Sequence, residues 1–167
     1  MNDAPSSPIA IGWYDGPRKE IRDLFELADD SCAQLDSYLE LGRVLVARDE
    51  SGEIVGHLQL LPTEPGVVEI KNLAVRASFR RRAVGRRLIE HAVSVCRDER
   101  VRALTLVTAL ADIDNLRFYQ RCGFRASSIE LDAFTPDKGY PPDLEADGIP
   151  VRDAIRLVRV LNATDAD

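Results

Sequence analysis

The alternation of apolar and polar positions divides the chain into short strands and helices. Ile9 to Tyr14 reads as a first strand, closed by Asp15-Gly16-Pro17. From Arg18 to Ala28, the residues Ile21, Leu24, Phe25 and Ala28 fall at helical spacing. Ser31 to Leu41 repeats the pattern with Leu35, Tyr38 and Leu39, and Gly42 marks its end. Arg43–Arg48 and Glu53–Leu61 read as strands joined by the turn Asp49-Glu50-Ser51-Gly52. After a second turn, Pro62-Thr63-Glu64-Pro65-Gly66, a longer strand is expected from Val67 to Val75.

Val84, Leu88, Ile89, Ala92, Val93 and Cys96 then recur at helical spacing, predicting a helix from Val84 to about Arg97. The β-branched run Arg102–Thr108 follows. A strand, a helix and a returning strand form a crossover unit, which places the two strands parallel. Asp112 or Asp114 can cap a further helix that runs to Cys122, with Gly123 as its stop. Phe124–Leu131 and Ala154–Leu161 read as the last strands. Between them, Asp132 to Asp153 holds Pro136, Gly139, Pro141, Pro142, Gly148 and Pro150 and reads as a long loop of the kind that shapes binding sites.

The charge pattern alters this picture at one place. Arg80, Arg81 and Arg82 precede the helix beginning at Val84, and Arg86 and Arg87 lie in its first turn. A helix N-terminus already carries roughly half a positive charge, so cations there are unfavourable by about 0.3–1 kcal/mol each. The arrangement gains sense if a polyanion sits on the exposed N–H groups, because dipole and arginines then act together. The small residues Ala83 and Gly85 would allow close approach of that anion. Were Ala83 near the ordinary φ of about −60°, replacing it by glycine would gain nothing. The chain as a whole is acidic, with net charge −6 in 167 residues, so it would be repelled by nucleic acid and anionic membranes, and neither is expected as a partner; a nucleic-acid-binding module using Arg80 to Arg87 is the disfavoured rival. A local basic turn on an acidic protein reads as a cofactor pocket.

The remaining composition is that of a soluble domain: 45% apolar and 30% charged residues. No membrane span or secretory leader is visible. Cys32, Cys96 and Cys122 show no metal-ligand spacing and suggest reduced thiols in a cytoplasmic protein.

The turn has neither a Walker lysine nor a Gly-x-Gly-x-x-Gly run. Arg80-x-x-Ala83-x-Gly85 instead resembles the pyrophosphate signature of the GNAT superfamily of acyl-CoA-dependent N-acyltransferases, with Ala83 where glycine is usual. The strand Leu73-Ala74-Val75 before it and Asn115-x-x-x-Tyr119-x-x-x-Gly123-Phe124 after it stand in that family's order. The resemblance implies one N-acetyltransferase domain over residues 1–167. Its fold would be α/β, a mixed, mostly antiparallel sheet with helices on both faces and a cleft between two splayed parallel strands. It also implies acetyl-CoA as co-substrate, held by Leu73, Ala74, Val75, Arg80, Arg81, Arg82, Ala83, Val84, Gly85, Arg86, Asn115 and Tyr119, with no metal. A bulge in the Leu73–Val75 strand would free an N–H for the thioester oxygen.

Two residues are expected to move protons. The resemblance makes Tyr119 the donor to the departing sulfur; a core tyrosine would fit the same helical position. Glu69 opens the central strand among Val67, Val68 and Ile70, where desolvation would suit a base, and pairing with Lys71 is the plainer reading. His57 is the alternative base. Asp29, Asp30, Asp36 and Glu40 gather around the first two helices, which border the acceptor site in the family. The expected reaction is direct acetyl transfer to a primary amine of a small molecule. A non-catalytic acyl-CoA sensor and a protein N-acetyltransferase are the rivals. The acceptor's identity and homodimer formation stay open.

Overall fold

The structure is a computed structural model and describes residues 8–161. Its chain order is β1 (Ala10–Trp13), a 3₁₀ turn (Arg18–Ile21), α1 (Arg22–Glu26), α2 (Cys32–Tyr38), β2 (Arg43–Arg48), β3 (Ile54–Glu64) and β4 (Val67–Val75). There follow α3 (Val84–Asp98), β5 (Ala103–Ala109), α4 (Ile113–Arg121), β6 (Arg125–Glu130), the small pair β7 (Glu145–Ala146) and β8 (Ile149–Pro150), and β9 (Ala154–Val160). Seven strands make one sheet in the order β1-β2-β3-β4-β5-β9-β6. All neighbours are antiparallel except β4 and β5.

Side chains alternate across this sheet and divide the core into two layers. Leu45 and Ala47 of β2 join Leu88, Ile89, Ala92 and Cys96 of α3, Tyr119 of α4 and Cys122 just after it on one face. Val44 and Val46 turn to the other face, against Leu24 and Phe25 of α1 and Leu35 and Tyr38 of α2. The expected fold, with helices on both faces, is present.

The boundaries differ where local chemistry outweighs periodicity. The first helix breaks at Ile21, whose φ of −119° and ψ of 16° interrupt it, so the 3₁₀ turn stays separate from a short α1. Ser31 caps α2, its hydroxyl accepting from the Gln34 N–H, and the helix ends at Tyr38 rather than Leu41. Pro62 lies inside β3, which runs on to Glu64, and the turn contracts to Pro65 and Gly66. The segment from 132 to 153 contains a 3₁₀ turn and the β7–β8 pair.

Candidate active site

The cleft begins where one ladder stops. Val67 to Ile70 of β4 pair with Ala103 to Leu106 of β5, and no pairing continues beyond. At that point β4 also carries a bulge: Asn72 opposes Gln59 and Ile70 opposes Leu60, leaving Lys71 as the extra residue. A bulge sharpens the local twist and re-aims side chains. Val68 and Ile70 pack in the α3 layer before it, and Leu73 and Val75 pack against that layer after it. The bulge thus lies two residues ahead of the stretch where the family resemblance put it.

The free edge of β4 follows from its other partner. The Arg76 N–H donates to the Val55 carbonyl of β3 at 2.8 Å. Successive N–H groups of a strand face opposite edges. Those of Leu73 and Val75 therefore face the side where β5 has departed.

The arginine turn stands at the end of this strand. Nothing caps α3 through a side chain. Its first-turn donors at Val84, Gly85 and Arg86 lack intrahelical acceptors by geometry. Ala83, the residue before the helix, has φ 59° and ψ 11°, and Arg81 has φ 62°. Ala83 is thus left-handed rather than near φ −60°, which explains why the family pattern favours glycine here. Gly85 serves packing as well as access: a Cβ there would come within 3.2 Å of the Phe118 ring.

The five arginines are not equivalent. The Nε of Arg80 donates to the Val75 carbonyl at 3.2 Å, Arg82 lies over the Phe79 ring, and Arg86 pairs with Glu90 at 2.8 Å. Arg87 reaches 2.7 Å from the Ile9 carbonyl, so it ties α3 to the start of β1. Arg80, Arg81, Arg82 and Arg86 remain exposed.

The opposite part of the cleft is lined by Ala28, Asp29, Asp30 and Tyr38, by Glu69 and Lys71, by Val107 to Ala109, and by Asp112 and Asn115. Phe134, Tyr140, Leu144, Glu145, Ala146 and Val151 complete it from the loop between β6 and β9. That loop is docked: the Lys138 carbonyl accepts from Ser31 Oγ at 3.2 Å and from Gln34 Nε2 at 3.4 Å. Gly139, with φ 86°, sits where a Cβ would be 2.7 Å from Ser31 Oγ. Phe134 and Tyr140 meet edge to face at 5.0 Å.

Buried polar groups brace this wall. The Tyr38 hydroxyl donates to Asp29 Oδ2 at 2.7 Å and accepts from Asn72 Nδ2 at 3.0 Å. Asn72 also donates to the Phe25 carbonyl, so β4, α1 and α2 are joined just beyond the bulge. Burial and the bond to Asp29 raise the Tyr38 pKa, and burial beside Asp29 and Asp30 pushes Tyr140 up to about 12. Asp30 is also raised, by burial and then by Asp29.

Residues 12–124 match the acetyltransferase (GNAT) family. The chain belongs to that family. It is 36% identical over 138 residues to the uncharacterized N-acetyltransferase YvbK of Bacillus subtilis, covering 83% of this chain and 87% of the relative. A crystal structure of a B. subtilis acetyltransferase in complex with CoA superposes with a TM-score of 0.84 at 33% identity, covering 93% of this chain and all of that one. A GNAT acetyltransferase from Elizabethkingia anophelis with acetyl-CoA bound gives 0.83 at 30% identity, covering 92% and 98%.

This GNAT chain is an acetyl-CoA-dependent N-acetyltransferase, and its uncapped α3 and unpaired β4 edge suit a ligand with a pyrophosphate and an amide-bearing arm. Tyr119 is buried between Phe118 and Phe124, with ring centroids 5.1 and 6.1 Å away. Its hydroxyl makes no hydrogen bond to a described residue, and burial raises its pKa. Asn115 borders the cleft, its amide donating to Asp112 Oδ2 at 2.7 Å.

Glu69 lines the same cleft, yet its neighbours are Lys71 at 3.6 Å and Arg156 at 3.9 Å rather than apolar strand-mates alone. His57 is elsewhere. It is fully buried against Phe25 at 4.1 Å, both nitrogens lack partners among the described residues, and burial holds its pKa down to about 3. Buried in the α1 layer, it is not among the residues that line the cleft. Of the acidic group, Asp29 and Asp30 line the cleft, while Asp36 pairs with Arg22 at 2.6 Å.

Sequence reasoning missed Tyr38, Phe134 and Tyr140 as cleft residues. Phe134 and Tyr140 carried one signal, an aromatic pair within a Pro- and Gly-rich loop; Tyr38 carried none beyond its helical spacing.

Proposed function

We propose that this acetyltransferase passes the acetyl group of acetyl-CoA directly to the primary amine of a small cationic molecule, with both substrates held together. The supporting observation is the lining of the acceptor side: Asp29, Asp30, Glu69, Asp112 and Glu145 beside one cation, Lys71. Tyr38, Phe134 and Tyr140 supply aromatic faces among them. Carboxylates draw an ammonium into a cleft, and rings stabilise it further once it is desolvated.

In this reading the N–H groups of Ala83, Val84, Gly85 and Arg86, with Arg80, Arg81, Arg82 and the Arg86 side chain, hold the pyrophosphate. Leu73, Ala74 and Val75 align the thioester arm, and an N–H of that strand meets the oxyanion. Asn115 contacts the arm from α4. Glu69, directly or through water, takes the proton the ammonium must lose before it attacks.

Tyr119 donates a hydrogen bond to the sulfur that departs. A free phenol giving its proton to a thiolate is uphill by about 2 kcal/mol. Burial raises the phenol further, so Tyr119 stabilises the thiolate without surrendering its proton, which solvent supplies afterwards.

The test is thiol release from acetyl-CoA over a panel of small amines, neutral amides and peptide N-termini. Turnover is expected with small cationic amines, and Asp30→Asn with Glu145→Gln should raise their KM while sparing that for acetyl-CoA. Turnover confined to peptides would make this a protein acetyltransferase. Acetyl-CoA binding without thiol release would make it a sensor.

A further inference from the structure

The acceptor side of the cleft sets one cation among its carboxylates, and that cation is also an amine. Lys19, Lys71 and Lys138 are the chain's lysines, against a large excess of arginines. Of the three, Lys71 alone lines the cleft. Lys19 is exposed on the 3₁₀ turn before α1. The Lys138 ammonium donates to the Asp132 carbonyl at 2.9 Å and stands 3.7 Å from Glu130. Arg156 already approaches the second oxygen of Glu69. An arginine at position 71 could face the first oxygen equally well, but a guanidinium keeps its proton and does not attack a carbonyl. A lysine can do both.

The bulge in β4 aims this side chain. Consecutive residues of a regular strand point to opposite faces, yet Lys71 and Asn72 both reach Tyr38. The Lys71 ammonium lies 4.9 Å from the centre of its ring, and the Asn72 amide donates to its hydroxyl at 3.0 Å. Ile70 opposes Leu60 and Asn72 opposes Gln59, so Lys71 is the extra residue that turns onto this face. There it stands 3.6 Å from Glu69 Oε1 with its side chain 33% exposed, in a loose ion pair rather than a hydrogen bond. Leu73 is two residues on, about 7 Å along the strand, a distance the long lysine stem can sweep.

We propose that Lys71 is a self-acetylation site: when no acceptor amine fills the cleft, the enzyme moves the acetyl group of acetyl-CoA onto its own Lys71 Nζ. This rests on the reading above, in which the thioester arm lies along Leu73–Val75. Glu69 takes one proton from the ammonium. The freed amine attacks the acetyl carbon, the C–N bond forms and the C–S bond breaks. A second proton leaves the nitrogen for solvent as the intermediate collapses, and solvent protonates the CoA thiolate to the thiol. The third proton stays on the amide. That amide is neutral, so the residues lining the cleft lose their one cation. The carboxylates then meet an arriving ammonium without a competing positive charge.

The experiment incubates the full chain with acetyl-CoA and no acceptor, then reads the intact mass and maps the peptides. One acetyl group per chain is expected, on Lys71, arriving at least about tenfold faster than on Lys19 or Lys138, because placement in the site replaces chance encounter. The rate constant should not change with protein concentration, as a reaction within one chain requires. A small acetyl thioester without the pyrophosphate should show no such preference. Lys71→Arg keeps the charge and should acquire no acetyl group on that timescale. The proposal is overturned if Lys71 is labelled no faster than the other two lysines, or if its rate climbs with protein concentration. It is equally overturned if the small thioester is as selective, or if Lys71→Arg is still acetylated at the same rate. Turnover of the amine panel with Lys71 unlabelled removes this inference alone and leaves the acceptor reading intact. Labelling of Lys71 without turnover of any amine keeps it and removes that reading.

Discussion

Glu69 and Lys71 stand two residues apart on β4 with carboxylate and ammonium 3.6 Å from one another, and Arg156 approaches the other carboxylate oxygen at 3.9 Å. The arrangement fixes the carboxylate at the cleft. Glu69→Gln keeps shape and removes the proton acceptor. It should depress kcat/KM for the amine most near pH 6, with the gap to wild type narrowing toward about pH 10 as free amine accumulates. A variant that tracks wild type across this range would place the base elsewhere. Tyr119→Phe should instead lower kcat by about 10- to 1000-fold at every pH, with acetyl-CoA affinity little changed.

The arginines should separate by role. Arg81→Ala with Arg86→Ala is expected to weaken acetyl-CoA binding at least about tenfold, as loss of charge-assisted contacts would. Arg87, committed to the Ile9 carbonyl, is the contrast. Arg87→Ala should leave that affinity within about twofold and cost about 1 kcal/mol of stability. Calorimetry and urea titration on the same samples check both.

Ala83 occupies the left-handed region, where a Cβ costs roughly 1–2 kcal/mol. Ala83→Gly relieves that while loosening the unfolded chain by about 0.4–1 kcal/mol. The net should be a gain of up to about 1 kcal/mol in urea unfolding. A loss of that size would contradict the left-handed assignment.

His57 predicts an acid-sensitive fold. Its folded pKa lies near 3 against an ordinary 6.5, so below pH 6.5 the unfolded chain takes up a proton that the native state refuses. Stability is thus complete above 6.5 and falls as pH drops toward 3, by at most about 1.4 kcal/mol per unit from this group. The His57→Gln variant should lose stability less steeply between about pH 6 and pH 4. Parallel urea-midpoint curves would show that His57 is not the cause.

Long amphipathic elements declared themselves in the sequence. β4, α3 and α4 carry enough periodic positions to be read alone, and the basic run before α3 marked the turn proposed to hold the pyrophosphate. What stayed hidden depends on partners distant in the chain. Tyr38 gains its place from Asp29, nine residues away, and from Asn72, thirty-four away. Phe134 and Tyr140 wall the cleft because Lys138 docks on Ser31, more than a hundred residues earlier. The left-handed Ala83 was illegible for a different reason: alanine rarely adopts that backbone, so identity argues against what the fold imposes. The break at Ile21 is invisible to periodicity, since a 3₁₀ turn and an α-helix bury the same apolar residues.

The ladder that stops at Ile70 makes β4 selective in an indirect way. On the proposed reading its unpaired N–H groups bond amides spaced along an extended arm, whatever those amides belong to. Any slender peptide-like thread satisfies them. Discrimination must therefore be exerted at the two ends of the thread, by the charged turn before α3 and by the walls that receive the acyl group. On that reading the middle of the site contributes grip and alignment, and selection of the acyl group falls to the walls beyond it.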